Sequence, residues 1–180
     1  MKHTAVTPVI LGLLSLGGPR SGYDIKTVVD RSTRFFWAAS YGQIYPELKR
    51  LEAEGLIEGA DASNGNRGRR VYELTPAGHE ALVEWLLADR TDTVELRDES
   101  LLMLFFADAV PREQALMVLE GRKRGHEDFL KVLREIQSLP GGPDPTFVDL
   151  VLRWGIDFNE WGARWCQEQL ERLRSEKTTA

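Results

Sequence analysis

Residues 41–57 read Tyr41-Gly42-Gln43-Ile44-Tyr45-Pro46-Glu47-Leu48-Lys49-Arg50-Leu51-Glu52-Ala53-Glu54-Gly55-Leu56-Ile57. Ile44, Leu48 and Leu51 recur at helical spacing and define the buried face of a helix over 40–54, which Gly55 ends. The opposite face carries Gly42, Gln43, Tyr45, Pro46, Lys49, Arg50 and Ala53, while Glu47, Glu52 and Glu54 fall on its flanks. A helix laid in a major groove needs an outer face without carboxylates, because an acidic side chain near phosphates is repelled. Gly42 and Ala53 permit close approach, and the Gln43 amide suits a two-point contact with adenine. Lys49 and Arg50 suit phosphates or guanine. A solvated helix can sort its charges in the same way, so the flanking elements must decide. Pro46 either lies in the first turn or bends the helix.

Upstream, Thr7-Pro8 suits the N-cap and first position of a helix over 7–16, which Gly17-Gly18-Pro19 ends. The run 9–16 follows Lys2 and His3 as a secretory core would. It has no small-x-small cleavage site, and Val9, Ile10, Leu13 and Leu14 share one helical face, so a buried helix is expected. A second helix starts at Ser21 as N-cap and turns Tyr23, Ile25, Val28 and Val29 inward. Downstream, strands over 56–60 and 69–74 flank the turn-rich loop Ala62-Ser63-Asn64-Gly65-Asn66-Arg67-Gly68, the tip of a hairpin. Tyr72 and Leu74 alternate toward the core, leaving Arg69 and Glu73 outward. Thr75-Pro76 caps a fourth helix, to about residue 89, with Leu82, Trp85 and Leu86 on its apolar side. Three helices followed by a hairpin with a basic tip make a winged helix-turn-helix. In that fold the third helix reads the groove, and the wing, with Arg67, Arg69, Asn64 and Asn66, touches the backbone.

Several stretches resemble the PadR-type regulators. Thr7-Pro8-Val9-Ile10-Leu11-Gly12-Leu13-Leu14 and Gly18-Pro19-Arg20-Ser21-Gly22-Tyr23-Asp24-Ile25 look like the opening of that family. The 41–57 run is similar at nearly every position to its recognition-helix signature. Gly68-Arg69-Arg70-Val71-Tyr72-Glu73-Leu74-Thr75-Pro76-Ala77-Gly78 resembles its wing strand and next helix. The resemblance implies a dimeric transcription factor, usually a repressor, of the branch with a multi-helix C-terminal region. It implies that Ser21 and Tyr23, and Tyr41, Gln43 and Tyr45 at the start of the third helix, meet DNA with Lys49, Arg50 and the wing basics. Gln43 stands where threonine is common in the family. Pro46 is tolerated in that family's recognition helix.

The C-terminal half reads as helical: a short apolar helix over 96–107, a long one from Pro111 to Gln137, and a break at Leu139–Pro145. Asp144 and Pro145 then open a last helix to about residue 174. Phe147, Val151, Trp154, Phe158, Trp161 and Trp165 alternate by four and three residues, an aromatic heptad seam. It serves packing, within the subunit or across a dimer interface, or it lines a pocket for a small aromatic effector. Phe105, Phe106, Phe129 and Leu133 are expected in the core, Arg122-Lys123-Arg124 on a solvated face, and Cys166 as an inert thiol.

The chain has 180 residues and a net charge of −5, unevenly spread. Residues 1–74 hold ten basic against eight acidic side chains, net +2, and residues 75–180 thirteen against twenty, net −7. That asymmetry fits a nucleic-acid-facing module joined to an acidic one. A lone cysteine excludes an intrachain disulfide, and His3, His79 and His126 lack metal-ligand spacing. With no phosphate loop, Gly-x-Ser-x-Gly or close Cys/His pair, neither an enzyme nor a cofactor is expected. The expected fold is mainly α: a winged helix with a two-stranded wing over 1–90, then a helical dimerisation domain over 91–180 that also suits effector sensing. The expected protein is a cytoplasmic, sequence-specific DNA-binding regulator without membrane attachment. As a homodimer it would bind an inverted repeat of double-stranded DNA through the 40–54 helix and the 61–69 wing. A winged-helix adaptor for protein partners is the alternative, since Tyr45 would also serve as an anchor.

Overall fold

Apolar side chains at helical spacing close the first part of the chain around one core. In the computed structural model, residues 4–61, 69–89, 96–139 and 147–176 are described, and the chain divides into two units, Met1–Asp92 and Thr93–Ala180. The first unit runs α1 (Thr7–Gly17), β1 (Arg20–Ser21), α2 (Gly22–Arg31), a single 3₁₀ turn (Thr33–Phe35), α3 (Tyr41–Ala53), β2 (Ile57–Asp61), β3 (Arg70–Leu74) and α4 (Pro76–Leu87). Its core joins Ile10, Leu11 and Leu14 of α1, Ile25 and Val29 of α2, and Ile44, Leu48 and Leu51 of α3 with Ile57, Tyr72 and Leu82. Gly55, at a φ of 72°, supplies the left-handed residue that releases the chain from α3 into β2.

Local chemistry sets these boundaries. Ser21 caps α2 in a capping box: its side chain accepts from the Asp24 amide, and the Asp24 carboxylate accepts from the Ser21 amide. Thr75 caps α4 by accepting from the Gly78 amide at 3.1 Å. Thr7 does not cap α1 as expected. The cap is Val6, and Thr7 is the first helical residue, because its hydroxyl is committed to a partner on α3. The Trp37 indole donates to the Ala5 carbonyl at 2.6 Å, tying the α2–α3 connection to the residues ahead of α1.

The fold is mainly helical with a winged helix-turn-helix, as the sequence implied, but its sheet has three strands rather than two. They lie in the order β1-β3-β2, all antiparallel, with Arg20 opposite Tyr72 and Gly59 opposite Tyr72 on the other side. The extended residues that lead into the Ser21 cap pair with the edge of β3 that a two-stranded wing would leave open. The joining tip of the wing, with Asn64, Asn66 and Arg67, lies outside the described residues. Leu86, expected on the apolar side of α4, is exposed, because the stripe packed inward runs through Gly78, Ala81, Leu82 and Trp85.

The second unit holds α5 (Glu99–Phe105), a 3₁₀ turn (Ala107–Ala109), α6 (Arg112–Gln137) and α7 (Phe147–Ser175). The expected Asp144-Pro145 start of the last helix lies outside the described residues. Helices α6 and α7 pack along their length, and Leu119, Cys166 and Leu170 form the fully closed part of their core. Cys166 is buried, and that burial pushes its thiol above the usual range, favouring the protonated form. Phe105 and Phe106 are not core. They form an edge-to-face pair on the surface, because α5 is only seven residues long and turns Leu104 inward instead. Arg122 is not solvated either. It donates to Asp98 at 2.7 Å and to Ser100, and so fixes the start of α5 on α6.

Candidate nucleic-acid interface

The wheel over 41–54 survives folding. Ile44, Leu48 and Leu51 are fully buried, while Tyr41, Gly42, Gln43, Tyr45, Pro46, Lys49 and Ala53 are exposed. Pro46 sits within the helix, which continues through it to Ala53. Helix α2 comes close to α3 at Gly22, where a Cβ would stand 2.9 Å from the Tyr45 ring and 3.1 Å from Leu48. A Cβ there would have to push the Tyr45 ring and Leu48 aside, so glycine eases the approach, and it brings the exposed Tyr23 of α2 to the same region as Tyr45. Tyr23 therefore points outward rather than into the core, since Ile25 and Val29 already fill the inner face of α2.

Two aromatic rings extend along the outer face of α3. Tyr41 and Tyr45 stack with centroids 6.1 Å apart, and the Lys26 ammonium lies 5.3 Å from the centre of the Tyr41 ring. Lys26 also pairs with Asp30, one turn along α2. Lys49 is exposed, and among the described residues it makes no ion pair. Gln43 is engaged. Its side-chain oxygen accepts from the Ser40 amide at 2.9 Å and from the Ser40 hydroxyl at 3.1 Å, closing the start of α3. The residue itself is exposed.

Four carboxylates near this face are paired with three arginines. Asp24 accepts from Arg69 at the base of the wing at 2.6 Å and from the Ser21 hydroxyl at 2.7 Å. Burial pushes its carboxyl up, but the hydrogen bonds from Ser21 and Arg69 outweigh that and hold it below the usual range. Ser21, expected at the DNA, is buried, and its hydroxyl serves the α2 cap. Glu52 accepts from Arg70 of β3 and from the Gly59 amide of β2, which pins the hairpin to α3.

Glu47 is only 5% exposed. It accepts from the Thr7 hydroxyl and from two nitrogens of Arg50, Nη2 at 2.6 Å and Nε at 3.1 Å. The other arm of Arg50 reaches Glu54 at 2.6 Å, and Nη2 also meets Thr7 at 3.0 Å. Burial pushes the Glu47 carboxyl up, and the hydrogen bonds from Arg50 and Thr7 more than reverse it, so it stays ionised. Hydrogen bonding to Glu47 holds the Arg50 guanidinium above its already high range, against the opposing effect of burial. The sequence placed Arg50 on the outer face; the fold turns it along the flank, between two glutamates. The Glu47–Arg50 spacing was legible in the sequence, but Thr7 lies 40 residues from Glu47 and was not.

In the second unit the aromatic seam is largely open. Phe147, Val151, Trp154 and Trp161 are exposed, Trp154 by 62%, while Phe158 and Trp165 are half-buried. The face of α7 turned to α6 is the neighbouring stripe of Ile156, Asn159, Gly162, Cys166 and Leu170. The seam is nonetheless ordered ring on ring: Trp154 stacks on Phe158 at 5.4 Å, Phe158 meets Trp161 at 6.1 Å, and Trp161 meets Trp165 at 6.4 Å. Beneath it, the His126 ring fits against Gly162, and its Nδ1 lies 2.9 Å from the Asn159 side-chain oxygen. Among the described residues no cluster of His, Cys, Asp and Glu is arranged to hold a metal ion. No helix among them is long and apolar enough to cross a membrane.

The chain has marked relatives. Residues 10–84 match the transcriptional regulator PadR-like family, and residues 96–174 match the virulence activator alpha C-terminal family. In sequence the chain is 36% identical over 107 residues to the negative transcriptional regulator PadR of Bacillus subtilis, across 59% of this chain and 58% of that protein. The fold is similar over a longer span. Bacillus subtilis PadR in complex with operator DNA matches with a TM-score of 0.84 at 28% identity, over 94% of this chain and 99% of that one. The same regulator in complex with p-coumaric acid matches with a TM-score of 0.79 at 26% identity, over 97% and 99%.

Proposed function

The chain belongs to the PadR-like family of transcriptional regulators, and from that premise we propose that it binds an inverted-repeat operator as a homodimer and represses transcription. The observation that carries this is the outer face of α3. Tyr41, Gln43, Tyr45 and Lys49 stand exposed on a helix whose inner face is fully buried, and the acidic groups beside it are held by arginines. A protruding helix of that kind fits a major groove, with Gln43 toward a base edge and Lys49 toward a phosphate. Tyr23 and the two stacked tyrosines supply hydroxyls for phosphates and ring edges for thymine methyls. Arg69, with Arg67, Asn64 and Asn66 of the wing, would follow the backbone alongside. Ser21 contributes by capping α2 rather than by touching DNA.

The open aromatic seam of α7 supports the second half of the proposal. Among the described residues, Phe147, Val151, Trp154 and Trp161 of the heptad stripe are exposed, with Phe158 and Trp165 half-buried between them, which suits a second copy. Indole walls at such a seam also suit a small planar aromatic effector, the class to which the p-coumaric acid bound by Bacillus subtilis PadR belongs. The protein would act where its DNA is, in the cytoplasm, without catalysing a reaction.

The test is selection of a binding site from a randomised duplex pool by the full-length chain, followed by anisotropy titration of the selected duplex at rising salt. Log affinity should fall linearly with log salt, with a slope near −0.9 per phosphate neutralised. A chain that acts as a protein adaptor would enrich no sequence and show no salt-sensitive binding.

A further inference from the structure

Arg50 is a cation on the helix that faces DNA, yet its donors are already placed. Nε and Nη2 form a fork on the Glu47 carboxylate, Nη1 bonds Glu54, and Nη2 also meets Thr7. Glu47 is buried, and so is Thr7, which begins α1. A buried carboxylate stripped of the one cationic partner it has among the described residues is left uncompensated in a low-dielectric setting, and such a loss exceeds what one solvent-exposed phosphate contact returns. Arg50 therefore stays with Glu47 when DNA arrives. The cluster also has a mechanical consequence. Thr7, Glu47 and Arg50 join α1 to the middle of α3 on the flank opposite Lys49, so they set the angle at which α3 presents Gln43 and its tyrosines.

We propose that Glu47 and Arg50 are positioning residues for operator recognition: with Thr7 they moor α3 to α1, and Arg50 is a strut rather than a phosphate contact. Sequence discrimination then depends on the pair, while the number of phosphates neutralised does not. This rests on the DNA-binding function proposed above.

Anisotropy titrations of the full-length chain against its selected duplex and a scrambled duplex of the same length, over about 50 to 200 mM salt, separate the roles. Lys49→Gln, as a phosphate-contact control, should weaken both duplexes and flatten the salt slope by about 1 per protomer. The charge-balanced pair Glu47→Gln with Arg50→Gln should leave scrambled binding and the slope unchanged, yet lower the ratio of selected to scrambled affinity about tenfold. Glu47→Gln alone frees Arg50 and should tighten scrambled binding, steepen the slope and lower the same ratio. Thr7→Val keeps every charge and the side-chain shape; it should lower the ratio with the slope intact, and it carries the test if the paired variant does not fold. A paired variant that flattens the slope by about 1 per protomer makes Arg50 a phosphate contact and overturns the proposal. Wild-type ratios in all folded variants overturn it too, leaving the cluster merely structural. If the wild-type chain binds neither duplex in a salt-sensitive way, the DNA-binding function itself fails, and the strut with it.

Discussion

Replacing Gly78 by alanine should unfold the first unit at a markedly lower temperature. A Cβ on Gly78 would stand 1.9 Å from the Leu56 carbonyl oxygen, 2.9 Å from its carbonyl carbon and 2.8 Å from Leu74 Cδ1. An ordinary carbon–oxygen contact needs about 3.3 Å, so α4 would have to retreat by about 1 Å or more from a backbone that cannot swing aside. The Leu56 carbonyl accepts from the Thr75 amide at 3.2 Å, and the Thr75 hydroxyl donates to Gly55 at 2.8 Å, so both bonds stretch with the retreat. Overpacking costs about 1–3 kcal/mol and each of the two weakened hydrogen bonds about 1 kcal/mol, which gives about 3–5 kcal/mol in all. For a unit of this size that lowers Tm by on the order of 15 °C. Gly125→Ala is the matched control, because a Cβ there meets nothing within 4 Å and the site is inside α6. Its effect should be a gain of about 0.5–1 kcal/mol. Calorimetry of the full-length variants checks both. A Gly78→Ala melt within about 2 °C of wild type would refute the close approach of α4 to Leu56.

Three further outcomes follow from the same geometry. Trp161→Glu places a charge in the exposed seam and should convert a sedimenting dimer into a monomer at micromolar concentration; an unchanged dimer would put the interface elsewhere. Gln43→Glu keeps the oxygen that accepts from Ser40 and should melt like wild type, yet lose preference at one base pair per half-site, worth about 1–3 kcal/mol, in binding-site selection. Burial pushes the Asp98 carboxyl up, but hydrogen bonds from Ser100, Arg122 and the Leu101 amide hold it at about 2, below its unfolded value. Its stabilisation should therefore be complete above about pH 4 and lost as pH falls toward 2. Asp98→Asn should remove about 2 kcal/mol of that acid sensitivity in urea melts, and an equal pH dependence in both proteins would contradict the bridge to Arg122.

Much of this molecule was legible along the chain because local rules act locally. The inner stripe of α3, the caps at Ser21 and Thr75, and the stop at Gly55 follow from spacing and side-chain chemistry within a few residues. What the sequence hid depends on partners far along it. Thr7 reads as a cap until Glu47 claims its hydroxyl, and nothing near Arg50 in the sequence shows that the packing of α1 on α3 buries Glu47 beside it and engages its guanidinium. The third strand was missed because two residues carry no period, and β1 exists only through its pairing with β3. Apolar character alone placed Phe105 and Phe106 in a core, whereas the shortness of α5 leaves them outside. In α7 two apolar stripes run side by side, and only the packing of α6 decides which is covered.

Hydroxyl-radical footprinting of the full-length protein on its selected duplex tests the docking of α3 most directly. Two copies joined through α7 and reading successive major grooves should protect two tracts about 10 base pairs apart, centre to centre, on one face of the duplex. A single protected tract, tracts on opposite faces, or no protection at all would contradict a dimer that inserts one recognition helix into each half-site.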